Sequence, residues 1–218
     1  MGTAPQNPPF GDIADQQGNF FGFDIDIMLE ICNRIHAQCN FKPFAYNELF
    51  SQISDKQIDL AISAIIINSD EKDNFIFTLP YLESNAQFLT LQTSNIQYPK
   101  DINSTTVGTR RGTLFKDLAL LLYQNNIKTI EYPVVASMLD ALKNIEVDVI
   151  LLNSEAAKYW YANNSDLYRL IGTKIPIGDG YAIMANKDNG PLIAQINKAL
   201  LHMEADGTYL QIYSKYFQ

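Results

Sequence analysis

The chain has little charge, few cysteines and no long apolar run. Of its 218 residues, 18% are charged, 47% are hydrophobic and 2 are cysteine. A membrane-spanning helix needs roughly 18 or more consecutive apolar residues, and no stretch of the sequence reaches that length. Disordered chains combine low hydrophobicity with high charge, whereas this composition is typical of a globular protein. The sequence therefore predicts a folded protein with a real core and no membrane-spanning segment.

Basic residues and catalytic motifs are also scarce. The 16 Lys and Arg stand against 24 Asp and Glu, which gives a net charge of −8. This balance argues against a nucleic-acid partner, and weakly against an anionic membrane surface, because both need basic patches. The sequence contains no nucleophile elbow, P-loop or dinucleotide-binding glycine pattern. His36 and His202 lie far apart, so we expect no metal and no cofactor.

What the sequence does contain is an alternation of strand-like and helix-like segments. Segment 58–67 is an almost continuous run of strand-forming apolar residues, as in a strand buried on both faces. Two successive strand–helix series predict two α/β units. Ligands bind such sheets at the carboxyl ends of the strands, so loops 68–72, 110–113 and 153–155 are the ones to inspect. We predict strands at 40–44, 58–67, 87–92, 106–109, 128–132, 147–152, 167–171 and 180–187, and helices at 46–53, 114–124, 136–143, 155–161, 192–203 and 208–217.

The two cysteines, Cys32 and Cys39, lie near the end of an amphipathic run that begins at Gly22. A continuous helix would hold them about 10 Å apart, whereas a disulfide needs Cα atoms roughly 4.4–6.8 Å apart. A bonded pair therefore requires the helix to stop near His36 and the chain to double back. An even count at short spacing favours a bridge and an oxidising compartment. The alternative is two buried, reduced thiols.

Several blocks of sequence, in this order and spacing, resemble a known family over essentially the whole chain. The family is the polar-amino-acid solute-binding proteins of bacterial ABC importers, and the lysine/arginine/ornithine and histidine binders are the most similar branch. The blocks are Gly2-Thr3, Pro8-Pro9-Phe10, the stretch from Gly18 to Asp26 with its Gly22-Phe23-Asp24-Ile25-Asp26 signature, the Cys32/Cys39 spacing, Asp59-Leu60-Ala61-Ile62-Ser63-Ala64, Phe77-Thr78-Leu79-Pro80-Tyr81, Val107-Gly108, Gly112-Thr113, Val147-Asp148, Gly180-Tyr181-Ala182 and Asp206-Gly207-Thr208-Tyr209.

The resemblance implies a type II periplasmic-binding-protein fold, with two doubly wound α/β lobes joined by two crossing hinge strands. Lobe 1 would comprise residues 1–85 and 184–218, and lobe 2 would be the insertion 86–183. The lobes would close on a ligand like a hinge, without chemistry. A membrane ABC permease would be the partner and the periplasm the location. The first residues carry no charged-then-apolar leader, so we expect a processed start.

The resemblance also implies the ligand contacts. Tyr46 would stack on the ligand side chain, and the segment from Ser63 through Ala64 to Ile66 would receive an α-carboxylate. Gly112 and Thr113, at a helix start, would donate further N–H groups. Asn7 and Phe10, in the opening turn, complete the expected set.

The sequence departs from the family at two charged positions. The carboxylate-binding arginine of the family is replaced by Glu71, and its ammonium-binding aspartate by Asn153. We expect Arg110 to take over an anionic ligand group, and Glu71 or Glu155 to take a cationic one. Losing both family anchors would otherwise abolish the usual pose, since breaking one buried charge pair at an interface costs about 2–5 kcal/mol.

Each of these residues also has a structural alternative. Glu71 can close a capping box with Asn68, and a one-residue shift would make Lys72 the cation. Tyr46 can be a core aromatic and Asn153 a helix cap. The remaining alternatives are solvated side chains at Arg110 and Arg111, helix N-terminal charges at Asp24 and Asp26, and packing at Trp160.

The sequence thus favours a binding protein for an amino acid or a similar polar metabolite, with arginine or another basic amino acid first. One alternative is a lyase resembling the cyclohexadienyl dehydratases of the same fold, in which Glu71 and Glu155 would do acid–base work. The other is a sensor or vestigial binding domain that does not take part in transport.

Overall fold

The computed structural model describes residues 1–13, 15, 18–68, 71 and 73–217. Within that part of the chain, contacts divide the protein into two compact units. Unit 1 comprises Met1–Glu83 and Gly178–Gln218, and unit 2 comprises Ser84–Ile177. The lobe boundaries expected from the sequence, after residues 85 and 183, stay predictions.

Unit 1 contains seven strands and four helices in the described part of the chain. The strands are β1 (Gly2–Thr3), β2 (Asp12–Ile13), β3 (Phe20–Phe21), β4 (Lys42–Pro43), β5 (Leu60–Ile66), β6 (Phe75–Phe77) and β12 (Tyr181–Asn186), and the helices are α1 (Phe23–Arg34), α2 (Glu48–Ser54), α6 (Gly190–Ala205) and α7 (Thr208–Phe217). Five of the strands form a sheet of order β4-β1-β5-β12-β6, and β2 and β3 form a separate antiparallel pair. Strand β5 runs parallel to β1, and β12 runs antiparallel to both β5 and β6.

Unit 2 holds the other five-stranded sheet. Its strands are β7 (Asn85–Leu91), β8 (Thr106–Arg110), β9 (Lys128–Tyr132), β10 (Val149–Asn153) and β11 (Tyr168–Pro176), and its helices are α3 (Phe115–Leu122), α4 (Val135–Lys143) and α5 (Ser154–Asn163). The strand order is β11-β7-β10-β8-β9. Strands β10, β8 and β9 are parallel neighbours, whereas β7 runs antiparallel to β10 and β11.

The continuous apolar strand predicted at 58–67 is confirmed. Every residue of β5 is buried, because β1 and β12 flank it and helices cover the sheet. Helix α6 buries five apolar side chains at helical spacing: Ile193, Ile196, Ala199, Leu200 and Met203. None of the helices in the described ranges combines the length and apolar character needed to cross a membrane.

The disulfide between Cys32 and Cys39 is present, with their Cα atoms 6.0 Å apart. Helix α1 ends at Arg34, and His36 adopts a φ of 56° as the chain turns back. The N–H of Ala37 then donates to the carbonyl of Cys32 over 2.9 Å. The prediction that a bonded pair stops the helix near His36 is confirmed, and the alternative of two reduced thiols is wrong.

The end of α1 is also fixed by a network of ion pairs. The guanidinium of Arg34 contacts Glu30 and Asp206, each at 2.7 Å, and donates to the Thr208 hydroxyl over 2.9 Å. The hydrogen bond from Arg34 holds the pKa of Asp206 well below its usual range. Because Asp206 lies in the turn between α6 and α7, this network joins the N-terminal and C-terminal segments that make up unit 1.

Candidate functional site

In unit 2, two of the predicted site residues lie at the same edge of the sheet. Arg110 is the last residue of β8 and Asn153 the last of β10, and the two strands are parallel neighbours with Ile150 opposite Gly108. Both side chains are buried, with exposed fractions of 3% and 6%. A guanidinium presents several N–H donors in a planar arrangement that matches a carboxylate, so the chemistry of Arg110 suits an anionic group.

The turn after β8 contains the predicted pair Gly112 and Thr113. Gly112 has a φ of 79°, in the region that favours glycine. The N–H and the hydroxyl of Thr113 both donate to the Arg110 carbonyl, over 3.3 and 2.6 Å. The turn is therefore closed on the strand end that carries Arg110, and it leads into α3 at Phe115.

The start of α5 carries a carboxylate that is only partly engaged. Asn153 occupies the N-cap position without a side-chain capping bond, so the cap alternative for its side chain is not seen. The Ser154 hydroxyl donates to Glu155 Oε1 over 2.6 Å. Glu155 Oε2 is enclosed, and no hydrogen bond reaches it from the described part of the chain. This oxygen can accept a hydrogen bond from a cationic donor.

In unit 1, the opening turn is tied to the start of α1. The carbonyls of Pro9 and Phe10 accept hydrogen bonds from Phe23 and Asp24, both over 2.9 Å. The ring of Phe10 is 1% exposed and lies edge-on to Tyr181, with ring centroids 5.3 Å apart. Phe10 therefore packs in the core of unit 1, next to the turn that contains Asn7.

The predicted carboxylate-binding segment lies along β5. The Ser63 hydroxyl exchanges hydrogen bonds with the backbone N–H and carbonyl of Ala4, both over 3.3 Å. Ala64 has a φ of 47°, and Ile66 pairs with Tyr181 of β12. The segment is thus held by unit 1's own backbone on both sides, and its donors to a ligand would be main-chain groups.

Asp24 was expected to be a helix N-terminal charge, but its carboxyl group is buried and accepts two hydrogen bonds from other parts of unit 1. Its side chain is 0% exposed, Oδ2 accepts from the Ala64 N–H and Oδ1 from the Tyr81 hydroxyl, both over 2.8 Å. Burial raises the pKa of Asp24 to about 7. The sequence contained a signal for this role, because Asp24 shares the buried helical stripe of Ile27 and Ile31.

Tyr46 and Glu71, two further predicted site residues, both lie in unit 1. Tyr46 is 4% exposed, belongs to the core cluster of unit 1 and lies edge-on to Phe50. This position favours the core-aromatic alternative. Glu71 is partly exposed, and its N–H donates to the Asn68 carbonyl over 3.2 Å. Lys72, the alternative cation, lies outside the described residues.

Among the described residues, no group of three or more His, Cys, Asp or Glu side chains could hold a metal ion. The groups described at the predicted site of unit 2 are the Arg110 guanidinium, the Glu155 Oε2 oxygen and the Asn153 amide, all of which can form hydrogen bonds or ion pairs. Such a set can bind a molecule that carries both an anionic and a cationic group.

This chain matches known proteins over nearly its whole length. The family model of the bacterial extracellular solute-binding proteins, family 3, matches residues 1–218. The arginine-binding periplasmic protein of Mannheimia haemolytica is 29% identical over 97% of this chain and 88% of its own length. The lysine/arginine/ornithine-binding periplasmic protein of Escherichia coli is 28% identical over 100% of this chain and 86% of its own.

A solved structure gives a further match. An arginine 3rd transport system periplasmic binding protein from Legionella pneumophila superimposes with a TM-score of 0.95 and is 44% identical. The match covers 99% of this chain and 97% of that one.

Proposed function

Because the chain belongs to family 3 of the bacterial extracellular solute-binding proteins, we propose that it captures a basic amino acid, arginine first, and delivers it to an ABC importer. It has the type II periplasmic-binding-protein fold of its solved relatives. The relatives support this ligand class, since they are arginine-binding and lysine/arginine/ornithine-binding proteins.

The distribution of charge supports a cationic ligand. Unit 1 carries 7 Lys and Arg against 16 Asp and Glu, a net charge of −9, whereas unit 2 carries 9 against 8, a net charge of +1. The excess of acid is therefore confined to unit 1. A field of this sign attracts a cation over several ångströms and raises its association rate.

The observation that carries the proposal is the group of polar side chains at one edge of the unit 2 sheet. Arg110 and Asn153 end β8 and β10, and Glu155 lies at the start of α5. There we propose that Arg110 binds the α-carboxylate, in place of the family arginine that Glu71 replaces. Glu155 Oε2 would accept from a cationic group of the ligand, in place of the family aspartate that Asn153 replaces. The amide of Asn153, at the same edge, would contribute a neutral hydrogen bond.

The other predicted contacts belong to the same proposal. In unit 1 these are main-chain groups of β5 at Ser63, Ala64 and Ile66, together with Asn7 and the partly exposed Glu71. Ala64 can take part only through its carbonyl, because its N–H donates to Asp24 Oδ2. Stacking by Tyr46 and a direct contact from Phe10 have the least support, because both rings pack in the core of unit 1.

Isothermal titration with L-arginine tests the proposal. Arg110→Gln should weaken binding by about 2–5 kcal/mol, which is a loss of roughly 30-fold or more, and Glu155→Gln should weaken it by at least tenfold. Arg111→Gln is the matched control, because Arg111 is exposed and directly follows Arg110. Unchanged affinity in the Arg110 variant, or an equal loss in the Arg111 variant, would contradict the proposed role.

A transport role also requires a permease partner and export, and we propose both by analogy with the periplasmic relatives. Expression of the full gene followed by osmotic-shock fractionation tests export. Arginine uptake in a strain that lacks the gene, with and without complementation, tests delivery. Uptake that does not depend on the gene would argue against transport.

We propose binding without chemistry. The relatives named above are binding proteins, which fits this function. Incubation with prephenate or arogenate, followed by absorbance of an aromatic product, tests the lyase alternative directly. A chain that binds arginine yet supports no uptake would instead favour a sensor.

A further inference from the structure

We propose that Asp24 is a positioning residue, whose buried side chain holds a backbone bulge of β5 in the conformation that the ligand contacts there require. The inference rests on the proposed function, since it concerns the backbone of the proposed contacts Ser63, Ala64 and Ile66. Asp24 itself need not touch the ligand.

The bulge is visible in the pairing of β5 with β12. The register shifts between Ala182 and Met184, so that residues 62–64 of β5 stand opposite the single residue Ile183. A bulge of this kind bends a strand and redirects its side chains and amides. The bulge therefore sets the directions of the backbone N–H and C=O groups in the proposed contact segment, from Ser63 to Ile66.

The bulge places an alanine in an unfavourable conformation. Ala64 has a φ of 47°, in the left-handed region where the Cβ of an L-residue comes too close to its own backbone. Residues persist in this region only where their surroundings hold them there. The backbone preference of alanine does not favour this conformation, so contacts with other parts of the protein must stabilise the bulge.

Asp24 supplies that restraint from the first turn of α1. Its Oδ2 accepts the Ala64 N–H over 2.8 Å, while Oδ1 accepts the Tyr81 hydroxyl over 2.8 Å. Tyr81 is itself held, because the Tyr209 hydroxyl donates to its carbonyl over 2.5 Å. With both oxygens engaged and 0% exposure, the carboxyl has little freedom to move, and neither has the amide that it binds.

The next aspartate on the helix provides a natural comparison. Asp26 Oδ2 accepts from Lys215 over 2.6 Å and from the Tyr216 hydroxyl over 2.7 Å, both on α7. It has the same chemistry, lies on the same helical turn and supports the fold, but these hydrogen bonds join it to α7 and not to β5. Asp26→Asn therefore reports the general effect of removing a structural carboxylate from α1.

The test combines six variants, three single changes at the aspartates and three that carry Ala64→Gly, with two readouts: the Kd for L-arginine and the melting temperature without ligand. Asp24→Ala removes the acceptor for the Ala64 N–H and should weaken arginine binding by at least tenfold. Asp24→Asn keeps an acceptor oxygen and should stay within about threefold of the unmodified chain. Asp26→Asn should lower the melting temperature and leave the Kd within about twofold. Each tenfold change corresponds to 1.4 kcal/mol.

The three variants that carry Ala64→Gly test for a rescue. Glycine adopts a positive φ without a Cβ penalty, so adding Ala64→Gly to Asp24→Ala should recover at least threefold in affinity and part of the lost melting temperature. Added to Asp26→Asn, the same change should recover nothing beyond its effect in the unmodified chain. A merely structural role for Asp24 would not couple positions 24 and 64 in the Kd for L-arginine, so this coupling is the decisive readout.

The outcomes separate this inference from the proposed function. If Asp24→Ala binds arginine normally, or if Ala64→Gly rescues both aspartate variants equally, the positioning role is refuted. If Asp24→Ala does not fold, recovery of a folded protein by Ala64→Gly supports the role and failure to recover refutes it. If the unmodified chain binds no arginine, the proposed function fails, and the coupling in melting temperature alone decides whether Asp24 holds the bulge.

Discussion

The buried carboxyl of Asp24 gives the protein a stability that depends on pH in a predictable direction. Desolvation raises its pKa from 3.8 to about 7, although the hydrogen bonds from Tyr81 and Ala64 act in the opposite sense. The folded state therefore binds a proton between about pH 4 and pH 7 that the unfolded chain has already released. Since stability rises with pH only where the unfolded state binds more protons, this group makes stability fall as the pH rises through that window.

The size of the effect follows from the shift. A difference of about three pKa units corresponds to about 4 kcal/mol between the low-pH and high-pH limits. Tyr81, the partner of Asp24, does not titrate in the same window, because burial and the neighbouring carboxylate raise the pKa of Tyr81 well above its usual value. The expected pH dependence at this site therefore belongs to Asp24.

Asp24→Asn isolates that contribution. We expect urea denaturation to show that the free energy of unfolding of the Asn variant, minus that of the unmodified chain, increases by about 4 kcal/mol between about pH 4 and pH 8. Any constant offset from the altered hydrogen bonds cancels, because only the pH dependence is compared. A flat difference for Asp24→Asn, within about 1 kcal/mol, would refute the reasoning.

Three further changes test the fold of unit 1. Replacing Cys32 and Cys39 by alanine should lower the free energy of unfolding by about 2 kcal/mol in urea denaturation, because the bridge closes a short loop; no loss would contradict this. Gly22→Ala should cost about 2–4 kcal/mol in the same assay, since φ is 131° there and a Cβ would collide with the Phe10 carbonyl. Arg34→Ala should cost about 1–2 kcal/mol and lose part of that effect at high salt, which thermal melts at two salt concentrations would detect.

The parts of the fold that could be predicted from the sequence are those with a long, regular pattern. The strand predicted at 128–132 agrees with β9, and the helix predicted at 208–217 agrees with α7. The two-residue strands β2 and β3 and the three-residue strand β6 were not predicted, whereas β1 at Gly2-Thr3 was expected only through the family resemblance. An alternation of period two cannot be recognised over two or three residues, and β6 becomes a strand through its pairing with β12.

The predicted site also contains residues whose positions could be predicted from the sequence and residues whose positions could not. Placing Arg110 and Asn153 at one sheet edge needed only strand order and direction, which the alternation of strands and helices supplies. The packing of Tyr46 in the core was not decided by the sequence, because an aromatic residue after a strand can face either the core or a ligand. Similarly, an alanine such as Ala64 gives no sign that it will adopt a positive φ, since turn rules assign that conformation to Gly, Asn and Asp.

Asp24 marks the limit of local reasoning, because the two aspartates of α1 follow the same rule and have different roles. Acidic residues in a first helical turn are expected to be solvated charges that favour the helix dipole. Residues two apart on a helix point to nearly opposite sides, at about 100° per residue, so both cannot be solvated on a helix that covers a sheet. Asp24 falls on the stripe continued by Ile27 and Ile31, and it is buried with them. An acid on the apolar stripe of a helix is therefore the signal for a buried carboxyl, but its partner, Ala64, lies 40 residues away and is known only from the fold.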